Sequence, residues 1–461
     1  LTYSGVAADG SDFTGVAQIS VPANSASYDL DLATLDDAIY EGAEAFTVTI
    51  ASVAGADATV STTHNSASTT IADNESAPVV SIEADQTSVT EGNTAGFTIK
   101  LDQIADEAVT VNLSYSGVAA DGSDFTGVAQ VSVPANSSSY DLDLATLDDA
   151  IYEGAEAFTV TLASVAGADA TVSTTQNSAS TTIADNESAP VVSIEADQTS
   201  VTEGNTAGFT IKLDQIADEA VTVNLSYSGV AADGSDFTGV AQISVPANSA
   251  SYDLDLTTLD DAVYEGAEAF TVTIASVAGA EATIGTATAS TTIADNESAP
   301  VVSIAADQTS VTEGAVAGFT IKLDQIADEA VTVNLTYSGV AADGSDFTGV
   351  AQISVPANSS SYDLDLATLD DAVYEGAEAF TVTIASVSGA DATISTSQAS
   401  ASTTIADNES APVVSIEADQ TSVTEGNTAG FTIKLDQIAD EAVTVNLTYS
   451  GVAADGSDFT G

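Results

Sequence analysis

The chain is predicted to be all-β: a tandem array of immunoglobulin-like, seven-stranded antiparallel β-sandwiches forming an extended rod. Three observations carry this prediction. The segment LTYSGVAADGSDFTG at Leu1 recurs at Leu113 and Leu225, with Ser for the Thr, and unchanged at Leu335 and Leu447, giving periods of 112, 112, 110 and 112 residues. That is the length of a whole domain, not of a solenoid turn. Within each copy apolar and polar residues alternate in twos, and no helical apolar stripe persists among the abundant Thr and Val.

The strands can be read in order along the second copy. Val79-Val80-Ser81-Ile82 opens the unit after the first ADNESAP. Phe97-Thr98-Ile99-Lys100-Leu101 alternates, as do Val109, Val111, Leu113 and Tyr115 with the polar residues between them. Tyr140-Asp141-Leu142-Asp143-Leu144 and Phe158-Thr159-Val160-Thr161-Leu162 repeat the pattern. Half-buried antiparallel strands have this signature, and Gly/Asn/Ser/Asp turns separate the segments.

ADNESAP recurs at Ala72, Ala184, Ala294 and Ala406 and places the boundaries. The expected units are a partial repeat at 1–75, complete repeats at 76–187, 188–297 and 298–409, and a second partial repeat at 410–461. The Ser-Ala-Pro links are too short to act as flexible coils, and proline stiffens them. Leu1–Gly15 equals Leu447–Gly461, as in a window cut from a longer array; complementation of chain ends between subunits is the alternative.

Sixty-nine Asp and Glu against 4 Lys and Arg give a net charge of -65. A disordered polyacid would be poor in apolar residues, whereas 44% of this chain is hydrophobic and patterned to build cores. Folding at this charge calls for cations to offset carboxylate repulsion. No basic patch can be assembled for nucleic acid, and an anionic membrane surface would repel the chain. No apolar run reaches the ~18 residues of a membrane span. The absence of Cys excludes disulfides and thiolate chemistry.

The acids fall into two groups. Asp141 and Asp143 alternate with Leu142 and Leu144 and belong on an outer face; Asp102, Asp106 and Glu107 sit in a hairpin loop and are read as solvated surface. The remainder cluster at strand ends. They are Glu91 in TEGN, Asp124 in DGSDF, the run from Asp148-Asp149 to Glu153 and Glu156, and Asp185-Asn186-Glu187. A Greek-key sandwich gathers loops at its poles, where several carboxylates brought together would resist ionisation unless a cation intervened. Calcium suits such a set, since it takes 6–8 oxygens in irregular geometry; zinc would want His or Cys.

The motifs EGN-x-x-x-F, G-x-A-x-x-G-S-D-F, V-P-A-N, L-D-D-x-x-Y-E-G-x-E-x-F and I-A-D-N-E, in this order, resemble the Calx-beta repeat. That family includes calcium-sensing domains of sodium–calcium exchangers and many large bacterial surface proteins. The resemblance implies a seven-stranded sandwich with calcium at one pole.

Carried over by motif, the implied ligands of the second copy are Glu91, Asp124, Asp148, Asp149, Glu153, Glu156, Asp185, Asn186 and Glu187. In the first copy they are Asp12, Asp36, Asp37, Glu41, Glu44, Asp73, Asn74 and Glu75. The third copy has Glu203, Asp236, Asp260, Asp261, Glu265, Glu268, Asp295, Asn296 and Glu297. The fourth has Glu313, Asp346, Asp370, Asp371, Glu375, Glu378, Asp407, Asn408 and Glu409, and the last keeps Glu425 and Asp458. Asn186 is expected to offer a neutral oxygen where the family has a carboxylate, and Gly154 stands where the exchanger pattern has another acid. Fewer or looser ions than in the exchanger are therefore expected.

Enzymatic readings find little material. His64, the single histidine, is replaced by Gln176 and Gln398 in other copies and is read as a loop residue. Asp141-x-Asp143 lacks the glycine and terminal glutamate of an EF-hand, and Asn74-Glu75-Ser76 is an accidental sequon. Lys100, Lys212, Lys322 and Lys434 share one outer strand position. The expected function is a calcium-rigidified extracellular stalk of a bacterial surface protein, with neighbouring repeats as partners. A self-assembling filament of identical chains is the alternative, and a sensor coupled to a transporter a third.

Overall fold

The computed structural model describes all 461 residues, and every regular element in it is a strand. The unit after the first Ser-Ala-Pro link shows the plan. Seven main strands run Val79–Ala84, Thr94–Leu101, Val109–Gly117, Gln130–Val133, Ser139–Ala145, Glu156–Ala166 and Ser178–Ala184. Ser88–Thr90 and Thr171–Val172 are short additions.

Two sheets pack face to face. One has the order Ser88–Thr90, Ser178–Ala184, Glu156–Ala166, Val109–Gly117, Gln130–Val133. The other has Thr171–Val172, Val79–Ala84, Thr94–Leu101, Ser139–Ala145. The main strands pair antiparallel, whereas the two short additions pair parallel, with Ser178–Ala184 and Val79–Ala84 respectively. The sandwich predicted from period-two alternation is what forms.

The core follows the pattern residue by residue. Phe97, Ile99, Val109, Val111, Leu144, Phe158 and Val160 are fully buried, while Asp141 and Asp143 face out. Phe125 stacks on Phe158 with ring centroids 4.2 Å apart, which clamps the DGSDF loop onto the end of the sandwich. Gly117 ends its strand at φ +144°, where a Cβ would lie 2.3 Å from the carbonyl oxygen of Ala157. Only glycine fits there.

The next two units repeat this plan around their own cores. At the start of the chain, Thr2–Gly5, Glu44–Thr49 and Ser66–Ile71 form a three-stranded sheet around Ala7, Phe13 and Phe46. At its end, Val414–Ala418 pairs with Phe431–Leu435 and is exposed.

Consecutive units are bound by more than the link. The hairpin at Asp214–Glu219 reaches back to the preceding unit: Tyr152 N donates to Ile216 O at 2.7 Å and Asp218 N to Tyr152 O at 3.1 Å. Gln215 Nε2 donates to Ala150 O at 2.7 Å. The Tyr152 ring is buried and belongs to the core of the following unit, with Val192, Phe209 and Ala217 among its members. Equivalent contacts place Tyr40 on Ile104 and Asp106, and Tyr264 on Ile326 and Asp328.

Candidate metal centre

The carboxylates converge because four strands carry their inward rows one step beyond the last apolar residue. Side chains two apart share a face. Val89 is therefore followed by Glu91, Ile183 by Asp185, and Phe158 is preceded by Glu156. Leu144 leads through buried Thr146 to the Asp148-Asp149 pair, of which Asp149 lines the cavity. Asp124 arrives beside buried Phe125, whose stacking fixes its loop.

Six carboxylates, those of Glu91, Asp124, Asp149, Glu153, Glu156 and Asp185, line one small cavity floored by Leu147 and Ile183. In the next unit the lining is Glu203, Asp236, Asp261, Glu265, Glu268 and Asp295. Oxygens of Asp124, Glu153 and Glu156 lie within 4.8 Å of one another, as do those of Glu91, Asp185 and Glu187. Glu203, Asp295 and Glu297 group likewise, as do Asp236, Glu265 and Glu268. Glu313, Asp346, Asp371, Glu375 and Glu378 share the corresponding cavity of the fourth copy. In the first copy Asp12, Asp36, Asp37, Glu41, Glu44, Asp73, Asn74 and Glu75 line one cavity. Glu425 and Asp458 stand exposed.

Backbone donors hold the set in place. Asp185 Oδ2 accepts from Glu153 N at 2.6 Å and Gly154 N at 2.8 Å, and its Oδ1 from Glu187 N at 2.7 Å. Gly154 has φ +77°, a turn that favours glycine. Its place in the pattern is thus conformational. Asp124 Oδ2 accepts from Ala120 N at 2.5 Å, and Asp149 Oδ1 from Ile151 N at 2.7 Å.

One contact was not expected and one expectation is corrected. Asn186 acts here through its amide nitrogen, Nδ2, which donates to Asp148 Oδ1 at 2.5 Å. The equivalent pairs are Asn74–Asp36, Asn296–Asp260 and Asn408–Asp370. Each asparagine engages the first acid of the Asp-Asp pair; in the second, third and fourth copies the second acid alone lines the cavity, and in the first copy both do. The hairpin acids are also not simple solvated surface. Asp102 Oδ1 caps the incoming strand by accepting from Val79 N at 2.6 Å. Glu107 Oε2 accepts from Ala168 N at 3.3 Å, and Asp106 donates its backbone N–H to Tyr40 of the preceding unit. The contact of Asp106 is not visible in a single copy, because its partner Tyr40 belongs to the preceding unit.

The electrostatics are those of a crowded anion site. Burial, then repulsion from Asp124, Asp149, Glu156 and Asp218, pushes Glu153 up to about 7. Glu265 is pushed to about 7 for the corresponding reasons. Burial, then the contact with Glu297, raises Glu203 to about 7, and Glu313 is raised to about 7 by burial and Glu409. For Asp407 burial works upward, but the N–H groups of Gly376, Glu409 and Glu375 hold it below the ordinary value.

Glu203 and Glu313 are only 6% and 8% exposed, yet Oε1 of each has no hydrogen-bond partner. Glu187, Glu297 and Glu409 each leave Oε2 unpartnered as well. A buried carboxylate oxygen without a donor is costly. An all-oxygen, all-acid cavity with such atoms fits a hard divalent cation.

Comparison with known proteins accounts for the repetition. The sequence profile of the Calx-beta domain matches residues 1–75, 73–187, 185–297, 295–409 and 407–461, leaving no part of the chain uncovered. The chain belongs to the Calx-beta family. Its Calx-beta repeats are similar to the crystal structure of CBD12 from CALX1.2, at 15% identity over 46% of this chain and 99% of that one, with a TM-score of 0.22. They are also similar to the calcium binding domain CBD12 of CALX1.1, at 17% identity over 42% and 80%, TM-score 0.20. The Yersinia pseudotuberculosis adhesin InvE is similar at 12% identity over 47% and 59%, TM-score 0.24. No curated protein matches the chain.

Proposed function

We propose that this tandem Calx-beta protein is the stalk of a bacterial surface protein, non-catalytic and extracellular, whose joints are stiffened by calcium. The observation that carries the reading is the cavity of five or more carboxylates in each of the first four copies, which in the third and fourth holds a buried oxygen, of Glu203 or Glu313, that no protein donor satisfies. Calcium fits this donor set because it accepts many carboxylate oxygens in irregular arrangement, whereas magnesium demands stricter octahedral geometry and keeps its waters. Glu203, Asp236, Asp261, Glu265, Glu268 and Asp295 would hold the ion or ions in the third copy, with counterparts in the others. Extracellular modules of this kind work at Kd of ~10⁻⁴–10⁻³ M, which matches calcium outside cells.

A stalk suits the remaining features. Copies are nearly identical, so no position along the array is singled out for a ligand. Each unit brings its own core and its own cavity, and the link to the next unit begins directly after Glu187 or Glu297. Calcium would offset the repulsion at the joint and leave one favoured angle between neighbours.

Small-angle scattering of the full chain in calcium, in magnesium and in chelator tests this. A monomeric rod that becomes more flexible in chelator is expected. Identical scattering and identical melting in calcium and chelator reject the calcium role, and bundles that dissolve in chelator would replace the stalk with a laterally assembled filament.

A further inference from the structure

The hairpin that docks on each preceding unit brings an acid with it. Asp328 N donates to Tyr264 O at 3.1 Å, and Glu265 is the next residue after that tyrosine. Asp328 and Glu265 open onto one cleft between the two units, together with Glu329 and Asp391. Glu265 also lines the carboxylate cavity that contains Glu203, a residue only 6% exposed whose Oε1 is unpartnered. Glu265 therefore borders both the cleft that Asp328 lines and the cavity that already holds an unsatisfied buried oxygen.

We propose that Asp328 contributes its carboxylate to the cation held by Glu265 and Glu268 of the unit before it, and that Asp106, Asp218 and Asp440 do so at the other joints. The calcium site is then completed across the joint, one acid coming from each following unit. This rests on the calcium reading above, and adds a ligand that the single repeat does not contain.

The electrostatics agree. Asp328 is among the charges that raise both Glu265 and Glu268. Asp218 does the same to Glu153 and Glu156, Asp106 to Glu41 and Glu44, and Asp440 to Glu375 and Glu378. In each case an acid of one unit works on the cluster of another. The hairpin backbone holds that acid in place at every joint, from Asp106 N on Tyr40 O to Asp440 N on Tyr374 O. Such a site couples the two units directly, because the ion cannot keep all its oxygens if the hairpin lifts away.

The test replaces Asp106→Asn, Asp218→Asn, Asp328→Asn and Asp440→Asn together in the full chain. Asparagine preserves shape and the backbone contact, and removes the charge. A control removes four exposed charges at equivalent positions away from the joints, Asp29→Asn, Asp141→Asn, Asp253→Asn and Asp363→Asn. Calcium titration calorimetry and scattering are run on the parent and both variants.

The joint variant is expected to bind calcium about 10-fold more weakly and to lose calcium-dependent stiffening, with the control close to the parent. Parent-like affinity and stiffening in the joint variant overturn this inference and leave the calcium stalk standing. Equal weakening in the control also overturns it, as a general charge effect. A parent chain that binds no calcium overturns both readings at once.

Discussion

The hydroxyl of Tyr152 donates a 2.6 Å hydrogen bond to Oε2 of Glu281, 129 residues away and in the next unit. Tyr40 and Tyr264 make the same contact with Asp169 and Asp391 at 3.0 Å. This bond pushes the Tyr152 phenol up to about 12, with burial adding to it. Because Tyr152 is the residue before Glu153, one short segment both lines the carboxylate cavity and plugs the neighbour's core.

Ring and hydroxyl therefore separate experimentally. Tyr→Phe at positions 40, 152 and 264 forfeits a hydrogen bond worth about 1 kcal/mol per joint. Tyr→Ala also empties a core position, and costs about 3 kcal/mol per joint. At ~4 °C per kcal/mol for a domain of this size, calorimetry should show a small shift for Phe and one of about 10 °C for Ala. Scattering should show greater flexibility for Ala even in saturating calcium. Equal effects of Phe and Ala would show that the ring does not join the units.

Stability without calcium should fall as pH rises. Glu41, Glu153, Glu203, Glu265 and Glu313 are raised from the ordinary 4.5 to about 7, with burial the leading cause in each. Between these values the folded chain holds more protons than the unfolded chain, so raising pH favours unfolding. In chelator the melting temperature should decline from about pH 4.5 to about pH 7 and then level off. Calcium should abolish the decline, since the ionised acids are its ligands. A melting temperature that climbs with pH in chelator would contradict the crowded-anion account.

Much of this can be read in the amino-acid order. Alternation alone places Phe158, Val160 and Leu162 inside, and the motif spacing marks Glu91, Asp124, Glu153, Glu156 and Asp185 as a group. The role of Asp218 is not legible there. Its position depends on bonds such as Gln215 to Ala150, 65 residues apart and between units, and no repeat signal reports on the angle between neighbours. The orientation of Asn186 is likewise hidden, because an amide can offer either oxygen or nitrogen and only Asp148 beside it decides. The short Ser88–Thr90 strand gives no sign of itself because three residues carry no periodic signal.

The lysines give a prediction of a small effect. Lys100, Lys212 and Lys434 pair with Glu83, Glu195 and Glu417 on the outer face. Lys322 stands in register opposite Ser303, and the residue equivalent to those glutamates is Ala305. Ala305→Glu should restore the pair. Both partners of the existing Lys100–Glu83 pair are about half exposed, so the gain should stay below about 1 kcal/mol and vanish in high salt. A larger, salt-resistant gain in calorimetry would mean that this sheet face is more enclosed than its exposure indicates.

Glu203 offers the sharpest separation of folding from binding. Its side chain is nearly enclosed and Oε1 lacks a donor, so in the calcium-free chain the charge is a burden on the fold. Glu203→Gln keeps the shape and removes the charge, and its new N–H group can donate to Glu297, which lies within the same cluster. In chelator the affected unit should gain about 1–2 kcal/mol, the cost of an unsatisfied buried group. In calcium the same unit should lose the stabilisation that binding supplies, about 2.7 kcal/mol per site at 100 times Kd. Glu313→Gln should behave alike in the following unit. The two conditions thus predict opposite signs for one substitution, read as melting shifts in calcium and in chelator. If glutamine destabilises equally in both, Glu203 serves packing alone and the cavity it lines does not hold calcium.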